Sequence, residues 1–401
     1  MRQRRAGLLG ILVSGALVVP SVCGAQPAPP ANDVCLTCHA EPSMVRADGR
    51  PVVVHAESFA ASIHGSLGCI DCHVDLARVA DFPHPERLAP VTCATCHDEP
   101  AAGLGRSAHG PTGGAGGPLQ CASCHGPPHQ IAPSSAFESP TSKLQVARTC
   151  GQCHGGVVAA GGRPGPAVAG LFADSIHAIA LTRTTVAPTC TDCHRSHDIL
   201  RKTDPASPAH ARNIPATCGT CHADQRRLYG GSVHAAALGA GHPLAPQCVS
   251  CHTAHRMAPT AGSQWQLAAV EQCGTCHREA LATYRDSFHG QVTALGFTPV
   301  AKCVDCHASH EIFPVADARS TVAPANRLAT CQTCHPSATQ NFLAFQPHAN
   351  KNDRERLPAL YYAARFMNTL LAGVFAFFGA HTLLWFVRER AESTGEGDPR
   401  G

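Results

Sequence analysis

CVDCHASHEIF, residues 303–313, places two cysteines and two histidines within eight positions. Its first five residues form a C-x-x-C-H motif, the pattern of a covalent haem attachment site. Two thiols three residues apart can each form a thioether with one of the two vinyl groups of a porphyrin. The adjacent imidazole, that of His307, is then held beneath the ring on the iron. His310 has no part in that motif, and its role has to come from the rest of the chain.

The motif recurs. Of 23 cysteines in 401 residues, all but Cys23 fall into eleven such motifs. The first six are Cys35, Cys38 and His39; Cys69, Cys72 and His73; Cys93, Cys96 and His97; Cys121, Cys124 and His125; Cys150, Cys153 and His154; and Cys190, Cys193 and His194. The other five are Cys218, Cys221 and His222; Cys248, Cys251 and His252; Cys273, Cys276 and His277; Cys303, Cys306 and His307; and Cys331, Cys334 and His335. Paired cysteines alone would suit zinc or thiol exchange, and exported chains carry disulfides. Neither needs a histidine directly after every pair, whereas eleven covalent c haems use all of these residues.

Each iron has a second face. Methionine there would raise the reduction potential and histidine would keep it low. Of four methionines, Met1 and Met367 fall in the leader and the apolar segment, leaving Met44 and Met257 for eleven irons. Histidines outside the motifs number fifteen of 26. His64, His109, His177, His234 and His289 sit in S-x-H segments (SIHG, SAHG, SIHA, SVHA, SFHG). His129, His197, His255 and His310 closely follow alternate motifs, in CHGPPH, CHRSH, CHTAH and CHASH. His84 in DFPHP takes that place in the first repeat, with His55 competing, and His348 in FQPHANK completes the series. That nominates eleven second ligands and leaves His55, His210, His242 and His381 over.

The ligands of one iron lie on opposite faces of a flat ring, which residues three apart cannot easily straddle. His310 is therefore expected on the iron of a neighbouring haem. Such stitching brings successive haem edges close, as multi-step electron transfer requires. Spacing does not say which S-x-H histidine serves which iron.

The repeat is C-x-x-C-H, S-x-H, C-x-x-C-H and a further histidine. It starts at Cys35, Cys93, Cys150, Cys218 and Cys273, with a half repeat at Cys331, the starts lying 55 to 68 residues apart. So steady a period signals an array in which each repeat touches its neighbours. Between motifs, PTGGAGGP (111–118) and GGVVAAGGRPGPAVAG (155–170) read as loops, because Gly and Pro interrupt any helical period. Short helices are expected in AESFAASIHG (56–65) and HREALATYRDSFHG (277–290), no run alternates with period two, and AESTGEGDPRG (391–401) reads as a frayed tail. Aromatics are only 5% of the chain, thin for a core of this length, so porphyrins would supply the missing apolar surface. The expected fold class is mostly irregular with short α-helices, a multihaem cytochrome c repeat array plus one C-terminal transmembrane helix.

Residues 35–348 resemble the multihaem c-type cytochromes of the c3/c7-like superfamily, here as an undecahaem array. The resemblance implies low-potential, bis-histidine haems for periplasmic or extracellular respiratory electron transfer, and no substrate chemistry.

At the amino terminus, MRQRR, AGLLGILVSGALVV and CGA before Gln26 have the parts of a signal peptide over 1–25. Cys23 would leave with it; lipidation of Cys23 is the competing reading, for which Pro20-Ser21-Val22 is a poor signal. Export suits haem attachment, which takes place on the outer side of the membrane. Loss of Arg2, Arg4 and Arg5 takes the net charge from +3 to 0. No basic run suggests nucleic acid, and irons and propionates would set much of the surface potential.

FMNTLLAGVFAFFGAHTLLWFV (366–387) is long and apolar enough to span a bilayer, with Trp385 near one interface and Arg388-Glu389-Arg390 beyond it. The expected layout is a periplasmic haem domain (26–350), a juxtamembrane linker (351–365), the span (366–387) and a cytoplasmic tail (388–401). Within the span, His381 is an axial ligand of a shared haem b, a quinone partner or part of a helix interface. Residues 356–390 also resemble the first membrane helix found where a cytochrome c module joins a di-haem cytochrome b domain. That implies a separate subunit carrying the rest.

The combined expectation is an electron carrier and not an enzyme, anchored in the inner membrane with its haems in the periplasm. It would work between the quinol pool, through a membrane cytochrome b or other quinol-oxidising subunit, and periplasmic or outer-membrane cytochromes. The haem at Cys331, Cys334 and His335, closest in sequence to the span, is where quinol electrons would arrive. The competing class is a multihaem reductase of nitrite, hydroxylamine or a sulfur oxyanion with one five-coordinate haem. The similar nitrite reductases use a C-x-x-C-K site, which is absent here. A tetrahaem-like quinol dehydrogenase acting alone carries its anchor at the amino terminus, unlike the expected arrangement.

Overall fold

The computed structural model describes residues 30–79, 82–111, 118–156 and 167–395. The expected signal peptide, Cys23 and most of both glycine-rich loops lie outside them. The chain divides into two compact bodies, Met1–Ala101 with Cys121–Ser139, and Ala102–Gln120 with Pro140–Gly401. Among the described residues no strand forms; Val45 and Pro51 make one isolated bridge.

Thiol spacing explains the commonest element. Wound as a helical turn, C-x-x-C puts residues i and i+3 on one face, so both thiols face the same way and the histidine closes the turn. Helices Cys69–Cys72, Cys190–His194 and Cys303–His307 are built so. In these, the residue before the second cysteine is an aspartate that accepts the N–H ahead of the helix. Asp71 bonds Gly68, Asp192 bonds Thr189 and Asp305 bonds Lys302, each at 2.7 Å. The carboxylate satisfies an orphan donor and opposes the positive end of the helix dipole. At five opening motifs a threonine stands there instead, and Thr37, Thr220, Thr275 and Thr333 donate back into their own helix or turn, to Asp33, Thr217, Gln272 and Thr330.

In three of the five S-x-H segments the serine is a helix cap. Ser175, Ser232 and Ser287 accept the N–H three residues on, at 3.1–3.2 Å. They open helices Ile176–Leu181, Val233–Gly239 and Phe288–Ala294. The residue after the serine reaches across to the following repeat: Ile63 donates to the Ile131 carbonyl, Ala108 to Ile199, Ile176 to Met257 and Val233 to Ile312, all at 2.8–2.9 Å. Each acceptor lies two residues past the downstream histidine of that next repeat. One contact therefore registers two ligand-bearing segments. Ser232 is 2% exposed, and Ser232→Ala is expected to cost about 1 kcal/mol, read as a lower denaturant midpoint.

The return path also recurs. Ser139, Ser207 and Ser320 donate to carbonyls seven residues back, at Ala132, Leu200 and Phe313. Thr149, Thr217 and Thr330, each directly before a motif, donate to Pro140, Pro208 and Thr321. Apolar burial is sparse by comparison. The buried hydrophobics among the described residues are Leu76, Val146, Ala187, Val270, Tyr284, Phe313, Ala323 and Ala338, while the most enclosed side chains are serines.

Two expectations need correction. Helix Val168–Ala173 occupies the end of the second glycine-rich stretch, because past Pro166 nothing prevents a turn from closing. The last helix runs from Pro358 to Gly395, taking in part of the expected linker and the start of the expected frayed tail. Apolarity marks the layer a helix crosses, whereas helical winding continues through good helix formers such as the Ala, Leu, Arg and Glu residues of these flanks. Pro358 suits the first position. This is the one helix among the described residues long and apolar enough to cross a membrane, with mean hydropathy 1.9 over its apolar stretch and none of that stretch buried. Arg354 and Arg365 lie over Tyr362 and Tyr361 near one end, and Arg390 over Phe386 near the other.

Candidate functional site

Twenty of the nominated histidines stand in pairs, each joining a motif histidine to one outside the motifs. In the first body His39 faces His84 with ring centroids 6.0 Å apart, His97 faces His64 at 6.0 Å, and His73 faces His129 at 6.4 Å. In the second body His154 faces His109 at 6.1 Å, His222 faces His177 at 6.2 Å, and His194 faces His255 at 6.1 Å. His277 faces His234 at 6.2 Å and His252 faces His310 at 6.0 Å. His335 faces His289 and His307 faces His348, both at 6.2 Å. His125 closes helix Ala122–His125 in the first body, and His197 belongs to the second.

The separations span only 6.0–6.4 Å while the interplanar angles run from 8° to 65°. Ring stacking would tie distance to angle. Two imidazoles on opposite sides of one metal, with metal–nitrogen bonds of about 2 Å, give centroids about 6 Å apart at any rotation.

The pairing follows two rules. An S-x-H histidine faces the first motif of the next repeat, as His64 with His97, His109 with His154, His177 with His222, His234 with His277 and His289 with His335. A downstream histidine faces the second motif of the preceding repeat, as His129 with His73, His255 with His194 and His310 with His252. His84 takes His39 and His348 takes His307 at the two ends. Within each body, successive repeats are thus tied to one another by these pairs.

A strained residue makes the second rule possible. Arg195, Thr253 and Ala308 follow directly on a second-motif histidine and adopt φ of 65°, 61° and 61° with extended ψ. Gly126 holds the same place at φ 82°. Only glycine reaches this region readily, and another residue costs roughly 1–3 kcal/mol there. The reversal ends the motif helix and carries the following histidine away to a different partner.

Burial, and in several pairs the facing imidazole, holds His109, His177, His194, His234, His252, His289 and His307 below the ordinary histidine range. The neutral ring is the form that binds a metal. Beyond the pairs, His39 Nδ1 donates to the Val52 carbonyl and His84 Nδ1 to the Pro85 carbonyl, both at 2.9 Å. His348 Nδ1 lies 3.0 Å from Thr283 Oγ1, and the Nδ1 atoms of His73 and His154 are buried without a partner. Trp265 stacks on His252 at 5.5 Å, and Phe342 packs on His335 at 5.1 Å.

The thiols are strung in chain order within each body. The first cysteines of the two motifs in one repeat are near enough to perturb each other's thiols: Cys35 and Cys69, Cys93 and Cys121, Cys150 and Cys190, Cys218 and Cys248, and Cys273 and Cys303. Burial and the nearby Cys35 push the Cys69 thiol up to about 11, while the neighbouring Cys218 draws the Cys248 thiol down to about 7. The second cysteine of the later motif interacts with the next repeat, Cys72 with Cys93, Cys193 with Cys221, Cys251 with Cys273 and Cys306 with Cys331.

Of the remaining histidines, His55 precedes helix Ala56–Ala60 and is exposed. His210 and His242 accept the backbone N–H of Arg212 and Leu244, and His381 lies on the C-terminal helix. Among the described residues no three His, Cys, Asp or Glu side chains converge, whereas a closed zinc site takes four. Paired imidazoles with a thiol pair beside them fit a metal whose remaining four donors come from a planar macrocycle. Thr283, Trp265 and Phe342 carried no sequence signal, but the aspartate-for-threonine alternation inside the motifs was a readable one. No protein-family model matches the chain, and neither does any curated protein or solved structure.

Proposed function

We propose that the chain is a membrane-anchored electron-transfer cytochrome holding eleven covalent c haems. The single observation that carries this reading is the constant separation of ten imidazole pairs, each joining a motif histidine to one outside the motifs. Bound there, haem supplies one-electron chemistry. The chain's own part is to fix each porphyrin by two thioethers and to present neutral imidazoles to both faces. Capping both faces leaves outer-sphere transfer as the available reaction, and the order of the thiols supports a path that follows the sequence within each body. The C-terminal helix would hold the array at the outer face of the inner membrane. A cytochrome b or other quinol-oxidising subunit would meet His381 there, and periplasmic or outer-membrane cytochromes would exchange electrons with the far end.

Intact mass of the mature protein is expected to exceed the polypeptide mass by eleven porphyrins, with electron paramagnetic resonance showing low-spin ferric haem. A zinc inventory, or far fewer porphyrins, would overturn the reading. A high-spin haem at native stoichiometry would favour the reductase class instead.

A further inference from the structure

We infer that hydrogen bonding at the outer nitrogen of the axial imidazoles grades the reduction potentials along the array, and that Thr283 is the positioning residue that sets it for His348. The inference rests on the haem reading above. An imidazole that binds a metal through Nε2 carries its proton on Nδ1, and an acceptor there orients the ring and raises its basicity. A more basic ligand favours the ferric ion and lowers the potential, second-sphere hydrogen bonding being one of the levers a protein has on haem.

Three situations occur. His39 and His84, the two ligands of one site, both donate to backbone carbonyls at 2.9 Å. His73 and His154 are enclosed with no acceptor at all. His348 meets a side chain, Thr283, which is 6% exposed and sits on helix Arg278–Asp286. The Thr283 hydroxyl also lies 3.0 Å from the Glu279 carbonyl and 3.1 Å from the Ala280 carbonyl. Its proton is therefore committed to its own helix, and its lone pairs receive His348 Nδ1–H. The lowest potential accordingly belongs to the His39–His84 site, and higher ones to the sites of His73 and His154.

Backbone acceptors cannot be deleted by substitution, but Thr283 can. In the full-length, haem-loaded protein, Thr283→Val keeps the shape and removes the acceptor. Redox titration followed by electron paramagnetic resonance should show one couple of the eleven moving upward by a tenfold change in its ferric–ferrous equilibrium, or about 59 mV for one electron. One low-spin signal should change with it, and Thr283→Ser should restore both. Thr283→Ala, which has no branch to accommodate, reads the same loss independently. Unchanged potentials in the valine and alanine variants with all haems bound would overturn the inference. Failure of the haem reading would be visible separately, as absence of haem from the unsubstituted protein.

Discussion

Under the proposed haem reading, replacing His310 with alanine is expected to open the iron that Cys248 and Cys251 would anchor, not the one that its own motif at Cys303 and Cys306 would hold. His310 stands 6.0 Å from His252, while His307 is faced by His348. The reversal at Ala308 carries His310 out of reach of its neighbour's site. One haem of the eleven should become high-spin and bind carbon monoxide. In a background where Cys248 and Cys251 are alanine, that haem is absent, and His310→Ala should then add no high-spin signal. A signal that persisted would place His310 on another iron. His310→Met should instead keep six-coordination and raise one potential by on the order of 0.1 V or more. This is the largest single-residue effect on the electron path, because it changes an iron ligand outright.

The largest effect on location should come from removing the last helix. Residues 366–387 contain eleven Leu, Phe and Val residues, each contributing about 0.3–0.6 kcal/mol to insertion at the bilayer centre, or about 3–7 kcal/mol together. A chain ending at Leu357 is therefore expected in the soluble fraction after carbonate extraction, with its haem content unchanged. The helix has none of its apolar stretch buried against the rest of the chain, so its loss should leave the haem ligands undisturbed. Retention of the shortened chain in the membrane would show that another segment anchors it.

Much of the candidate site was legible because it is written in covalent spacing. Two thiols three residues apart and a histidine beside them need only one helical turn, which the local sequence makes without help. Recurrence in successive repeats then separated S-x-H and downstream histidines from His55, His210 and His242. Irregularity was legible too, since glycine and proline interrupt both helix and strand. Less visible were the serines and threonines of the return path. Their hydrogen bonds to carbonyls, such as Ser320 to Phe313 and Thr330 to Thr321, look in sequence like ordinary loop composition.

Sequence by itself set out which cysteines and histidines are candidate ligands, how many motifs there are and which stretch is apolar enough for a membrane, because all three follow from residue type and local period. Tertiary structure alone decided who faces whom. Partners lie 33 to 61 residues apart, from His64 and His97 to His194 and His255, and a histidine between two motifs has more than one candidate partner. The choice is made by contacts such as Val233 to Ile312, which register one repeat on the next, and by left-handed turns at Arg195, Thr253 and Ala308 that no preference of those residues would foretell. Direction in a repeating chain is a property of how the copies pack, and packing energy is not written in any one copy.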